Sequence, residues 1–302
     1  MKFFTQSVLN LFVIGVLAIA TISCGGSSKK ESKAEDVAFS EADEKITGDI
    51  DKVLGDLPSP SEVPYTMQSI DADFNPTLVN DLSRVEEYQT SEDEAALNLG
   101  IYATDMGYLA SYQKVQEAMK YMESCHGLAE TLGVASVFDV NTMEKFQNNL
   151  DNPEELNNIM NEAILEAETR LESTDRASIA ALVLTGSFVE GLYLATKVIE
   201  TYPTDILDEE TRNILLEPMI QIVLDQKTPL LDVIAMLKDL PQDDIIAKMI
   251  TELNILRLLY DGDLAEIEEK IKSNTGSFVV TQEMLIDITT EVKRVRKDII
   301  EL

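Results

Sequence analysis

A helical period runs through most of this chain and leaves little room for any other kind of fold. From Pro76 onward, apolar residues recur at steps of three and four, the spacing of a helix with one buried face. Leu97, Ile101, Asp105, Tyr108, Tyr112, Val115, Met119 and Met122 form one such stripe. The spacing predicts helices near 77–89, 92–110, 111–132, 142–150, 154–173, 175–201, 208–226, 229–240, 242–272 and 282–300. Ahead of them, Ile46, Ile50, Val53 and Leu57 mark a short amphipathic helix, stopped by Leu57-Pro58-Ser59-Pro60. Residues 61–75 read as irregular. Phe278-Val279-Val280 is the one stretch with strand character. The expected fold is all-α, a multi-helix bundle of about ten helices.

Several helices carry their own start and stop signals. Ser91 with Glu94 is a capping box. Pro229 and Pro241 suit first helical turns behind Thr228 and Leu240, and Thr281 is placed to cap the last helix. Pro218 falls inside a helical pattern and predicts a kink or break. Gly133, Gly262 and Gly276 lie where helices can stop. No tandem repeat of solenoid length is present. Tyr108-Leu109-Ala110-Ser111 and Tyr193-Leu194-Ala195-Thr196 echo one another, too briefly to mark a duplication.

The N-terminus constrains address more than fold. Lys2 supplies a positive start, Val8 to Ala20 an apolar run, and Thr21-Ile22-Ser23 a small-residue approach to Cys24. The arrangement resembles a bacterial lipoprotein signal with its lipobox. The resemblance implies that Cys24 is acylated, for instance with palmitate, and becomes the first residue of the mature chain. The expected organisation is then a signal peptide over 1–23, and the lipidated Cys24 with a flexible tether over 24–45. A short helix and Pro-rich connector follow over 46–75, and a helical domain over 76–302. Gly25-Gly26-Ser27-Ser28-Lys29-Lys30 stands where surface-exposed lipoproteins of Bacteroidota often carry acidic residues. That favours an outer membrane lipoprotein facing the periplasm.

Composition excludes several function classes. The formal charge is −31, which repels nucleic acid and anionic membrane surfaces. The expected membrane contact is therefore through the lipid alone, and the expected partner is another envelope protein. There is no Trp and aromatics are 6%, which weakens a sugar-binding reading. With Cys24 acylated, Cys125 has no disulfide partner. Cys125 and His126 are adjacent, so on a helix they point about 100° apart and make no nucleophile pair. Cys125 reads as a small core residue. One His and one free Cys make a zinc site improbable. Asp71-Ala72-Asp73-Phe74-Asn75 opens like a calcium loop, but Pro76 and Leu82 stand where Gly and Glu are needed. Asp205, Asp208, Glu209 and Glu210 suit a helix start, and Lys293, Arg294, Arg296 and Lys297 a helix end. No cofactor, resident metal or catalytic residue is expected.

The departures from simple patterning are two carboxylates. Residues 177–196 are the most apolar stretch after the signal, long enough to span a bilayer. Glu190, in its second half, argues instead for the central helix of a bundle. Glu190 is the only ionisable group between Arg176 and Lys197, and Asp105 is the only charged member of its stripe. A buried carboxylate needs donors or a cation, or its pKa rises. Tyr102, Tyr108, Tyr193 and Arg257 are the candidate partners. Four readings stay open: a structural polar network, a ligand- or ion-binding cavity, paired acid–base catalysis, or a carboxylate that reaches solvent.

Leu57-Pro58-Ser59-Pro60, Phe74-Asn75-Pro76, the stretch Ala96 to Tyr108 (ALNLGIYATDMGY) and Glu190-Gly191-Leu192-Tyr193 together resemble a family of helical lipoproteins from Bacteroidota. The resemblance spans most of the mature chain and implies an envelope address and a helical fold. It implies no activity. The expectation is a non-catalytic binding or scaffolding protein of the envelope. The alternative is a binder of small molecules or metal ions at a polar cavity near Asp105 and Glu190.

Overall fold

The computed structural model describes residues 48–53, 62–149, 176–273 and 281–301, with Lys45, Gly55 and scattered positions over 152–171. Cys24, the tether before Lys45, Pro58–Pro60, Gly276 and the expected strand at 278–280 lie outside these residues. The described chain is all-α, with no strand among the described residues. Its helices are α1 (Glu62–Ser69), α2 (Glu92–Ser111), α3 (Val115–Thr131), α4 (Val140–Asn148) and α5 (Ala177–Thr201). They continue with α6 (Glu209–Asp225), α7 (Lys227–Asp239), α8 (Asp244–Asp261), α9 (Asp263–Lys272) and α10 (Ile286–Ile300). Short 3-10 turns at Leu82–Arg84, Ala135–Phe138 and Gln282–Leu285 join them.

The apolar α5 is the centre of the molecule. It is long and apolar enough to cross a membrane, yet 83% of its most apolar window is buried in the protein. α2 lies alongside it, start beside start: Arg176, just before α5, pairs with Glu92 at the beginning of α2 at 2.7 Å. Two glycines make this approach possible. A Cβ on Gly100 would sit 2.1 Å from the Val183 carbonyl oxygen, and one on Gly186 would sit 2.0 Å from that of Leu97. α10 packs on α5, and α3 packs on α2. The compact unit runs from Asp43 to Leu302. Ile50, Val53, Val63, Met67 and Ile70 are all in the core. Lys45 bonds Asp239 at 2.6 Å, and Lys52 pairs with Asp232, fastening this early segment to α7.

Where boundaries differ from the periodic reading, a local interaction decides. The helix expected over 77–89 is confined to 82–88: Asp81 accepts from the Ser83 N–H at 2.9 Å and starts the chain turning there. The helix expected from 111 starts at Val115, because Gln113 adopts φ 56° between α2 and α3. There the Gln113 and Lys114 N–H groups bond the Ala110 and Leu109 carbonyls, a Schellman ending with Gln in the left-handed place. Gly133 (φ 68°) closes α3 in the same way. The expected 242–272 helix divides at Gly262. Thr281 makes no side-chain cap, and a 3-10 turn follows it. Pro218 sits within α6 without ending it; both Pro218 and Ile214, whose carbonyl it leaves unbonded, are exposed.

Candidate functional site

Asp105 on α2, Glu190 on α5 and Arg296 on α10 meet in the interior. The two acids are 0% exposed and Arg296 is 8% exposed. Arg296 Nε donates to Glu190 Oε2 at 2.5 Å, and its guanidinium carbon lies 4.2 Å from the centre of the Tyr193 ring. Asp105 Oδ2 accepts from the Asn80 N–H at 2.8 Å. The Glu190 carboxyl lies beside Asp105. Asp105 Oδ1 and Glu190 Oε1 have no hydrogen-bond partner. Two carboxyl groups sealed side by side with one guanidinium favour a proton on one of them. Burial first, and the Glu190 charge second, hold the Asp105 carboxyl well above the usual carboxylate range, against the pull of Arg296 and the Asn80 N–H. Arg296 thus faces Glu190 directly, and Asp105, with no cation bonded to it, is held toward its neutral form.

The chain beside this cluster is the non-helical strap of residues 70–81. Buried backbone outside regular structure must find side-chain partners, and here helices supply them. Tyr202 donates to Ile70 O at 2.9 Å, and Tyr112 to Ala72 O at 2.8 Å. The Tyr108 hydroxyl accepts from the Asn75 N–H at 2.9 Å. Arg296 Nη2 donates to Leu78 O at 3.3 Å. Tyr121 donates to Asn80 O at 2.5 Å and Tyr102 to Asp81 O at 2.7 Å. Burial pushes the Tyr102, Tyr112 and Tyr121 phenols up, which keeps them protonated as donors. Phe74 and Leu78 anchor the strap by packing, Phe74 stacking on Tyr108 with centroids 5.5 Å apart.

The sequence candidates sort accordingly. Asp105 and Glu190 are brought together. Tyr102 and Tyr108 stand beside them, but their hydroxyls hold strap backbone rather than carboxylates. Tyr193 offers its ring face to Arg296. Arg257 is not part of the site: it bonds Asn254 at 3.0 Å and Asp261 at 3.4 Å on the outside of α8. Asp105 is met by a backbone N–H and a second acid, not by a tyrosine or a base. Sequence reasoning misses Arg296, Asn80 and Tyr121. Arg296 leaves the basic group assigned to the helix end, while Arg294 pairs with Glu252, Glu291 and Asp298. A signal is present in the sequence: Arg296 follows Val295 and lies four after Val292, on the edge of the buried stripe Ile288, Val292, Val295, Ile299.

Cys125 is fully buried, and burial pushes its thiol up, so thiolate chemistry is suppressed. Among the described residues no group of three His, Cys, Asp or Glu is placed to hold a metal ion. At the carboxylate pair a guanidinium already occupies the cation position. Comparison of the chain with protein families, curated proteins and solved structures finds no match.

Proposed function

We propose that this protein is an envelope lipoprotein, held to the outer membrane through acylated Cys24 and facing the periplasm, whose helical body binds or scaffolds another envelope protein without catalysis. The address rests on the lipobox-like sequence ending at Cys24. The non-catalytic reading rests on one observation. The ionisable cluster of the interior is bonded internally, with Glu190 on Arg296 and Asp105 on the Asn80 N–H. A general acid or base must face a place where substrate can sit. The same observation weighs against the small-molecule or metal-ion alternative near Asp105 and Glu190, because one oxygen of each acid is bonded internally and both side chains are sealed at zero exposure.

Fractionation of cells carrying wild type and Cys24→Ala tests the anchor. Wild type is expected in the membrane pellet and the variant in the soluble fraction; equal retention of both removes the lipid anchor from the proposal. Thermal melts with divalent cations test the alternative. A rise in Tm that Glu190→Gln abolishes would replace the scaffold reading with a binding one.

A further inference from the structure

We propose that the strap of residues 70–81 is a proton-gated latch, held shut by the acid form of Asp105 and released when that proton is lost to solvent. The geometry carries it. Asp105 accepts from the strap at the Asn80 N–H and lies beside Glu190, while Arg296 joins Glu190 to the strap at Leu78 O. One guanidinium serves the two carboxyls, and its Nε is on Glu190. With Asp105 protonated the cluster is neutral overall. With Asp105 ionised a second negative charge is sealed at zero exposure beside the first, and the nearest relief is water. Water reaches the cluster if the strap lifts: apart from the Ile70 and Ala72 bonds to the end of α1 and the Leu78 N–H to Asn75 O turn, the strap is held by side chains.

The groups facing Asp105 leave it as the titrating member. On α2 they are the Tyr102 and Tyr108 phenols, on α3 the Tyr121 phenol and the Cys125 thiol, and on α5 the Tyr193 phenol and Glu190. α10 presents Arg296, and the strap presents the Asn80 amide. Burial raises every one of those phenols and the thiol, so none of them ionises before Asp105 does. In the open strap Asp105 is hydrated and titrates in the ordinary carboxylate range, about 3.9. Opening therefore releases a proton at every pH between that range and the raised value of the closed state. Across this window the opening constant rises about tenfold per pH unit, and above it the constant levels off.

The test is amide hydrogen exchange on the full chain from about pH 5 to about pH 9, with rates corrected for intrinsic exchange. For wild type, protection at Asn80 and its strap neighbours is expected to fall with pH while amides in the middle of α2, such as Ile101, keep theirs. Asp105→Asn mimics the protonated acid, accepting from Asn80 and donating to Glu190, and its strap protection is expected to be flat. Glu190→Gln removes the competing charge and lets an ionised Asp105 pair with Arg296; it too loses the fall. Should Asp105→Asn not fold, Glu190→Gln carries the test. Flat strap protection in wild type overturns the latch. So does a pH-dependent fall that survives in the variants, or one that α2 shares.

Discussion

Replacing Gly186 by Ala should destabilise the protein, although the same change five residues further along the helix should stabilise it. A Cβ added at Gly186 would lie 2.0 Å from the Leu97 carbonyl oxygen and 2.9 Å from its carbonyl carbon, against 3.4 Å for an ordinary contact. The missing distance is about 1.4 Å, and the obstacle is backbone in the middle of α2, which no rotamer change can move aside. The helices must separate, and an inserted methyl in a packed core costs about 1–3 kcal/mol, with rigid backbone on both sides placing this site at the upper end. Helix propensity favours Ala over Gly by about 1 kcal/mol, so a net loss of about 2 kcal/mol remains. Gly100→Ala is expected to behave likewise, with its Cβ 2.1 Å from Val183 O. Gly191 is the control: it is on the same helix, and a Cβ there meets nothing within 4 Å. Gly191→Ala should gain about 0.5–1 kcal/mol. Urea unfolding followed by circular dichroism measures all three, given an unchanged slope with denaturant. If Gly186→Ala is as stable as wild type, or Gly191→Ala is equally damaging, the close crossing of α2 and α5 is wrong.

Arg296→Met strands the ionised Glu190 in the core and should cost about 3–5 kcal/mol in urea unfolding, far beyond a Glu209→Ala surface control within about 0.5 kcal/mol. Gln113→Gly should stabilise by about 1 kcal/mol in the same assay, because Gln113 is held at φ 56° where glycine is unstrained. Tyr121→Phe removes the donor to Asn80 O and should cost about 1–3 kcal/mol, with faster proteolytic cleavage in the 70–81 strap as the local readout. Cys125 should react with a maleimide only in denaturant; prompt labelling of the native protein would contradict its burial.

The helices are legible because their signals are local. α2, α5 and α6 follow the predicted spans to within about two residues. The Ser91 cap forms as expected, accepting from the Glu94 N–H at 3.4 Å. The errors fall where a non-local partner overrides the period. Residues 77–81 carry apolar Leu78 and Val79 at plausible helical spacing, yet their backbone bonds to α2, α3 and α10 instead. No pattern within the strap encodes partners that lie 21 to 218 residues away in sequence. The break at Gln113 is illegible for another reason, since nothing in its side chain favours a left-handed backbone.

The site is half legible, and the half that sequence misses explains the half that it shows. A lone acid on an apolar stripe announces burial, and so Asp105 and Glu190 stand out. Their partner does not, because Arg296 sits among three other basic residues and in isolation looks like one more charge at a helix end. Weighing acids against bases in the interior narrows the choice. Two buried carboxyls need at least one proton or one cation, and Arg257, the base expected from sequence, is held on the outside of α8 by Asn254 and Asp261. The helical spacing on α10 puts Arg296, alone of its cluster, beside the buried Val292 and Ile299. One guanidinium for two acids then requires a proton on the other acid. That shortfall of a single positive charge is what turns a structural bond to the Asn80 N–H into one that depends on pH. The tyrosines that sequence reads as lining a cavity are the rest of the same solution: Tyr102 and Tyr108 hold the irregular strap and Tyr193 offers its ring face to Arg296, none of them adding to the charge of the interior.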